Sequence, residues 1–389
     1  MLPVIERPDA PERFKIVISD CHLSAGRFFE GRLNPHEDFF FDDEMVEFLD
    51  HFSTGEYGVR GPSGEPVEVE LIINGDYLDF LNVPHDGDFE DAITEEVALQ
   101  KLEAIISGHP KVMAALRRFA SRSGKSITYV VGNHDPDLFF EGVRNRIVKE
   151  WNPEGLQRPD GSPRVVILHE TDRLEYPEGV EIHHGNQFEA VHVLNFKSPL
   201  LESSELEKPV LNLPWGSFYV LKVINRFKWE RDYVDKVRPI KIFLLFGLVV
   251  DTWFTVRFAF LSAFYFVMTR FIPSPKRRSR LSVTMEIFKQ EAQGVFPDLE
   301  NFARQILDQK PELRTVIFGH THRPMNRVWP DGRQYINTGT WTKMINVDWR
   351  GIGQQFRLTF AYIRIKDGQA LCDLRQWQGE SRPHAAFHG

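Results

Sequence analysis

The sequence predicts an α/β fold interrupted by one helical, apolar insertion. Two observations carry that reading. Short apolar runs alternate with helical patterns along most of the chain, and the composition changes abruptly between about residues 196 and 282. The first strand-like run is Phe14 to Ser19. Val69 to Asn74, Ile127 to Val131, Arg164 to Leu168 and Val180 to His183 repeat its character, as do Arg314 to Phe318 and Gln334 to Asn337. Each is short and apolar and ends at turn residues, as buried strands do. Between them, helices are predicted over Glu44 to Phe52, from a Thr94 N-cap toward Ser107, over Lys111 to Ser121, and from an Asp298 cap toward Gln309.

The bulk numbers exclude several classes. A chain of 389 residues buries a large core. Its 42% hydrophobic and 26% charged content is that of a folded globular protein. A net charge of −8 argues against a nucleic-acid backbone as the main partner, and none is predicted. Two cysteines, Cys21 and Cys372, build neither a disulfide framework nor a zinc finger, which fits a reducing cytoplasm. Residues 1–13 are rich in proline and charge and do not read as a signal peptide.

Five motifs begin where an apolar run stops. They are Asp20-Cys21-His22, Gly75-Asp76, Gly132-Asn133-His134-Asp135, His184-Gly185 and Gly319-His320-Thr321-His322. In open α/β sheets, ligand sites gather at the carboxyl ends of strands. Alone, each motif is weak: Asp-x-His arises by chance, Gly-Asp is usually a turn, and Asn133 and Asp135 suit local backbone capping. Together they supply oxygen and imidazole donors that suit Mn, Fe or Zn. Seven such groups exceed one tetrahedral site but suit two divalent metals sharing a carboxylate, which clamp an in-line displacement and lower the pKa of a bridging water.

In order and spacing these motifs resemble those of the calcineurin-like metallophosphoesterase superfamily: D-x-H, G-D, G-N-H-[DE], a lone H and G-H-x-H. The resemblance spans roughly residues 14–339 outside the insertion. It implies two facing β-sheets flanked by helices, and hydrolysis of a phosphate ester or anhydride by a metal-bridging hydroxide. It also implies that Asp20, His22 and His322 hold one metal, that Asn133, His184 and His320 hold the other, and that Asp76 bridges them. His134 would act at the leaving oxygen as acid or charge stabiliser. Asp79, three residues after Asp76, would orient His134; the plain alternative is a turn or helix-start carboxylate. His183 competes with His184, but strand alternation sets it on the opposite face from Val180, Ile182 and His184, and His184 precedes the glycine. Asn186 and Cys21 depart from the family pattern. Cys21 reads as a small packing residue, and His36, His51, His85, His109, His169 and His192 as surface or packing histidines. Asn337-Thr338-Gly339, extended by Thr340 and Trp341, resembles the turn that follows the last ligand pair in relatives.

The division expected is a discontinuous catalytic domain, 1–195 and 283–389, enclosing a helical insertion, 196–282. Within the insertion, the apolar segment Ile240 to Ile272 is interrupted by Asp251 and Arg257. Each charge costs about 2.5–3.5 kcal/mol at the centre of a membrane span. A break at Asp251, capping a helix from Thr252, makes an apolar helical hairpin the preferred reading. Its flanks are basic: Lys222, Arg226, Lys228, Arg231, Lys236, Arg238 and Lys241 precede it, and Lys276, Arg277, Arg278 and Arg280 follow. That pattern suits a peripheral contact with anionic lipid through residues 222–280, at the inner face of a membrane, or a cover over a greasy substrate; a buried cap or dimer interface is the plain alternative. Asp20-x-His22-Leu23, Asn74-Gly75-Asp76 and Gly319-His320-Thr321-His322-Arg323-Pro324 look most like UDP-2,3-diacylglucosamine pyrophosphatase-like hydrolases of lipid A synthesis. Those enzymes carry arginine at the position of His134, so this chain points instead to ordinary ester hydrolysis on a phosphorylated small-molecule or lipid substrate. A membrane-associated scaffold that binds metal without turnover is the alternative from another class.

Overall fold

The computed structural model describes residues 13–60, 64–202, 204, 206–234, 236–238, 247–271, 299–346, 353–380, 383 and 385–387. The elements that position the site are strands β1 (Arg13–Ile18), β2 (Glu68–Asn74), β3 (Lys125–Val130), β4 (Val165–Leu168), β5 (Arg173–Tyr176), β6 (Val180–His183), β7 (Thr315–Phe318), β8 (Met325–Val328), β9 (Gln334–Asn337), β10 (Thr359–Lys366), β11 (Gln369–Gln376) and β12 (Ala385–Ala386). The helices are α1 (Asp42–His51), α2 (Glu95–Gly108), α3 (Pro110–Ser121), α4 (Glu141–Trp151), α5 (215–228), α6 (Thr252–Phe271) and α7 (Leu299–Gln309). Within α5, a π-helical turn, Val220–Ile224, joins two α-helical ends.

Two mixed sheets face each other. The first has seven strands in the order β12-β11-β10-β1-β2-β3-β4, and the second has five in the order β8-β9-β7-β6-β5. Strands β1 to β4 run parallel, and β10 pairs antiparallel with β1, Arg13 opposite Ile365. In the second sheet β6, β7 and β9 are parallel.

Alternation along the strands builds the layers. Val17 and Ile72 of the first sheet pack with Val180, Ile182, Ile317 and Ile336 of the second to form the core between sheets. Their neighbours Ile16, Ile18, Leu71 and Ile73 turn the other way and bury against residues of α1 to α4, such as Phe48, Leu102, Leu116 and Ile147. Helix α7 covers the outer face of the second sheet through Ala303 and Leu307 against Val316 and Phe318. Both faces of the central strands are therefore dry, which is why they read as continuous apolar runs.

The seven strand expectations coincide with observed strands, and Thr94 caps α2 by accepting the Val97 backbone N–H. Asp298 lies outside the described residues. Strands β5, β8, β10, β11 and β12 come in addition.

Part of the apolar segment (240–246 and Ile272), Lys241, and the basic cluster Lys276 to Arg280 also lie outside the described residues. Over the rest, the chain breaks at Asp251 as expected, and α6 starts at Thr252. The Asp251 carboxylate meets the Arg231 guanidinium at 2.8 and 2.9 Å, and Arg257 forks onto Glu230 at 3.0 and 3.1 Å. Both charges that interrupt the apolar segment are thus matched by residues just after α5. Helix α6 packs on α5, with Phe254 and Phe258 against Val223, Ile224 and Phe227.

Candidate metal centre

Every donor group sits within four residues past a strand end, and the backbone there is unusual. Among the described residues nine non-glycine residues adopt positive φ, and five of them are Asp20 (52°), His22 (53°), Asp76 (52°), His320 (67°) and His322 (59°). Such conformations disfavour side chains with a Cβ, and they cluster where surrounding structure holds a functional geometry. Gly132 and Gly319 let the loops close around these residues. A Cβ on Gly132 would overlap the Asp76 carboxylate, and one on Gly319 would overlap Ser19 and Asp20.

The seven predicted donors converge, although Asp20 and His320 are 300 residues apart. One group comprises Asp20, His22 and His322. Nε2 of His22 and Nε2 of His322 face each other at 3.1 Å, and the latter lies 3.3 Å from Asp20 Oδ1. The other group comprises Asp76, His184 and His320. There His184 Nε2 lies 3.1 Å from Asp76 Oδ2 and 3.2 Å from Asn133 Oδ1. Asp76 Oδ2 is also 3.9 Å from His22 Nε2, so one carboxylate oxygen stands between the two groups.

Two carboxylates, an amide oxygen and four imidazoles form a mixed oxygen and nitrogen set. Among the described residues the ion-pair partners of Asp20 and Asp76 are imidazoles: His322 for Asp20, and His22 and His184 for Asp76. The Nε2 atoms of His22, His184 and His322 face these carboxylates. Divalent cations fit such a mixed set of oxygen and nitrogen donors.

Electrostatics follow the geometry. Burial pushes the Asp76 carboxyl up, but His184 and His134 outweigh it and hold it well below the usual carboxylate range. Burial pushes His22 down, and Asp79, Asp76 and Asp20 reverse this to about 10; His184 rises to about 9 in the same way, chiefly through Asp76.

The histidines are held from behind. His22 Nδ1–H donates to Asp79 Oδ2 at 2.9 Å, and His184 Nδ1–H to the Asn74 carbonyl at 2.7 Å. A hydrogen bond at one ring nitrogen fixes the tautomer and frees the other for a metal. Asp79 does more than orient His134. Its Oδ1 accepts from His134 Nδ1 at 3.0 Å, while its two oxygens also accept the Asn82 backbone N–H at 3.1 Å and amide at 2.7 Å. The turn reading and the orienting reading of Asp79 both describe its contacts. His134 is part-exposed at the rim, and its backbone N–H donates to Asp76 Oδ1 at 2.7 Å.

His183 turns away from the donors. Its ring bonds Glu181 and Gln187 and packs on Phe318. Asp135 is a loop brace: its carboxylate accepts from the Gly132 and Tyr77 backbone N–H groups and the Tyr129 hydroxyl. Asn337 and Thr340 brace the floor through the Gly319 and Asp20 carbonyls. Cys21 is fully buried, and burial drives its thiol up. His192, read from sequence as a packing residue, lies instead beside the centre, grouped with Glu189 and His320.

No family model and no curated protein matches this chain. Among solved structures, a dimetal phosphatase from Danio rerio is similar over 97% of this chain and 98% of its own, at 11% identity and a TM-score of 0.36. The phosphopantetheinyl hydrolase of Mycobacterium tuberculosis is similar over 85% and 91%, at 12% identity and 0.28. A predicted phosphoesterase from Streptococcus pneumoniae TIGR4 gives 97%, 94%, 12% and 0.26. Superpositions this loose carry no functional argument, and the donor geometry stands by itself.

Proposed function

We propose that this chain is a metal-dependent phosphoesterase of the calcineurin-like kind, with Asp20, His22 and His322 holding one divalent cation, Asn133, His184 and His320 the other, and Asp76 shared. The observation that carries it is the position of Asp76 Oδ2 between the two histidine groups. A pair of divalent cations in such a set polarises a phosphoryl oxygen and lowers the pKa of water. The protein's own part is acid catalysis and positioning. Asp79 accepts His134 Nδ1–H and favours the protonated ring, which then carries a second proton on Nε2 for the leaving oxygen. An imidazolium proton donor suits an alkoxide or phenoxide leaving group, so ester cleavage is the preferred reaction over diphosphate cleavage. In Mn-loaded protein, Asp76→Ala and Asn133→Ala should each abolish turnover of an activated aryl phosphodiester. Full activity in both defeats the mechanism. A panel of phosphomonoesters, diesters and nucleotide sugars separates ester hydrolysis from UDP-diacylglucosamine-type cleavage, and metal binding without turnover of any of them supports the scaffold instead.

A second reading concerns where the enzyme works. Helix α6 buries Phe254 and Phe258 against α5 and leaves a second apolar face in the open. Two of its hydroxyls also face the protein: Ser262 bonds Tyr219, and Thr269 accepts from the Trp215 indole. Its outward stripe is Trp253 (72% exposed), Val256, Phe260 (70% exposed), Phe264 and Val267. By length and composition, Thr252–Thr269 qualifies as a membrane span. With one face committed to α5 and Arg257 paired with Glu230 on that side, the helix suits lying on a bilayer. This supports a cytoplasmic enzyme docked on an inner membrane surface, with a lipid-linked substrate as the corresponding chemistry. The double variant Trp253→Glu/Phe260→Glu should lose sedimentation with anionic vesicles yet cleave a soluble diester normally. Unchanged sedimentation removes the membrane reading.

A further inference from the structure

One histidine of the centre is held the other way round. His22 and His184 donate from Nδ1 to groups behind them and turn Nε2 inward. His320 uses Nε2 for its outer contact, which meets Glu189 Oε2 at 2.6 Å. Its ring belongs to two clusters, Asp76-His184-His320 and Glu189-His192-His320. Since Nε2 is engaged by Glu189, Nδ1 is the atom left for the Asp76 side.

We propose that Glu189 is the positioning residue of the second cation: it fixes His320 in the Nε2–H tautomer and so presents Nδ1 as a ligand. The inference rests on the two-cation reading of the site. A carboxylate behind a metal-bound imidazole holds ring orientation and raises ligand basicity. The chain places Glu189 for this task. The short turn Asn186–Phe188 follows Gly185, Glu189 N–H closes it by donating to the Asn186 carbonyl at 3.1 Å, and His192 N–H donates to the Glu189 carbonyl at 2.8 Å. The far end of the turn is pinned by the insertion. Gly216 N–H donates to the Val191 carbonyl at 2.8 Å, and the His192 ring fills the space where a Cβ on residue 216 would stand. Asn186, whose departure from the family pattern is noted above, belongs to this brace: its amide donates to the His192 carbonyl at 2.9 Å. The helical insertion therefore buttresses the loop that orients a ligand.

The test uses the full-length chain, manganese and a competing chelator. Wild type is expected to hold two Mn per chain, in a tighter and a weaker step. Glu189→Ala should weaken one step by about ten- to hundredfold and leave the other in place, with an unchanged circular dichroism spectrum. Glu189→Gln, whose amide oxygen still accepts Nε2–H, should recover most of that loss. If Glu189→Ala binds both ions as wild type does, or weakens both steps equally, the positioning role is wrong. A third Mn in wild type that vanishes in Glu189→Ala would also overturn it, because Glu189 would then be a ligand. Failure of wild type to bind two ions rejects the two-cation reading itself, a different result from any of these.

Discussion

Asp79→Asn is the most informative single change. Asp79 is fully buried and accepts four hydrogen bonds: from His22, from His134, and from the backbone and amide of Asn82. Burial raises its carboxyl, but His134 and then His22 outweigh this and hold it well below the usual carboxylate range. Asparagine has nearly the same shape, so the turn survives. It presents only one oxygen, and its NH2 cannot accept from an imidazole. One of the two rings must then receive a hydrogen bond at Nδ1 and move its proton to Nε2. If that ring is His22, the proton occupies the nitrogen that faces His322, and metal affinity should drop about ten- to hundredfold, or about 1.4–2.7 kcal/mol. If it is His134, the ring loses its orienting carboxylate and the leaving group its acid, for a loss of about 10²–10⁴ in turnover. Chelator competition and kinetics at saturating Mn distinguish the two outcomes. A variant with wild-type affinity and wild-type turnover would refute the claim that this carboxylate governs either ring.

Gly132→Ala should reduce turnover at least tenfold with little loss of secondary structure, since the new Cβ displaces the Asp76 carboxylate; activity within twofold of wild type removes that claim. Chelation should lower the melting temperature, because cations bound at a thousand times their Kd stabilise by about 4 kcal/mol per site; scanning fluorimetry with and without Mn measures it, and coincident curves count against a metal centre. His109 supplies a pH test remote from the donors. Burial lowers its ring, but Asp42 and Glu37 prevail and raise it from 6.5 to about 9. The stability it contributes is fully present below pH 6.5 and is lost as pH rises through 9. At about 1.4 kcal/mol per pH unit this is on the order of 3 kcal/mol. Denaturant titrations should show His109→Gln less stable than wild type at pH 6 with the gap closing by pH 9.5, and a gap that does not vary with pH contradicts the assignment.

What the sequence made legible was the set of places where apolar runs stop. Asp20, Asp76, Asn133, His184 and His320 each follow such a run, and strand alternation together with the glycine after His184 separated it from His183. Glu189 and His192 were not legible, because they lie on a loop with no periodicity, and Glu189 meets its partner His320 131 residues away. Strands β10 and β11 escaped for a related reason: their alternation is blurred by partly exposed positions such as Arg364, Cys372 and Asp373. The orientation of α6 was hidden in a different way. Its sequence is apolar on all sides, so periodicity could not tell which face the protein keeps. The burial of Phe254 and Phe258 on α5 and the partners of Ser262 and Thr269 decide it.

The pairing of β1 with β10 has a consequence for how the molecule comes into being. Residues 13–17 find their antiparallel neighbour at 361–365, so the strand that delivers Asp20 and His22 is walled on one side by a segment translated long after it. During synthesis Asp20, His22, Asp76 and Asn133 emerge long before His320 and His322. Long-range pairing of this kind slows folding, and here it also means that a half-made chain offers cations a cage without His320 and His322. Loading with metal belongs to the finished protein.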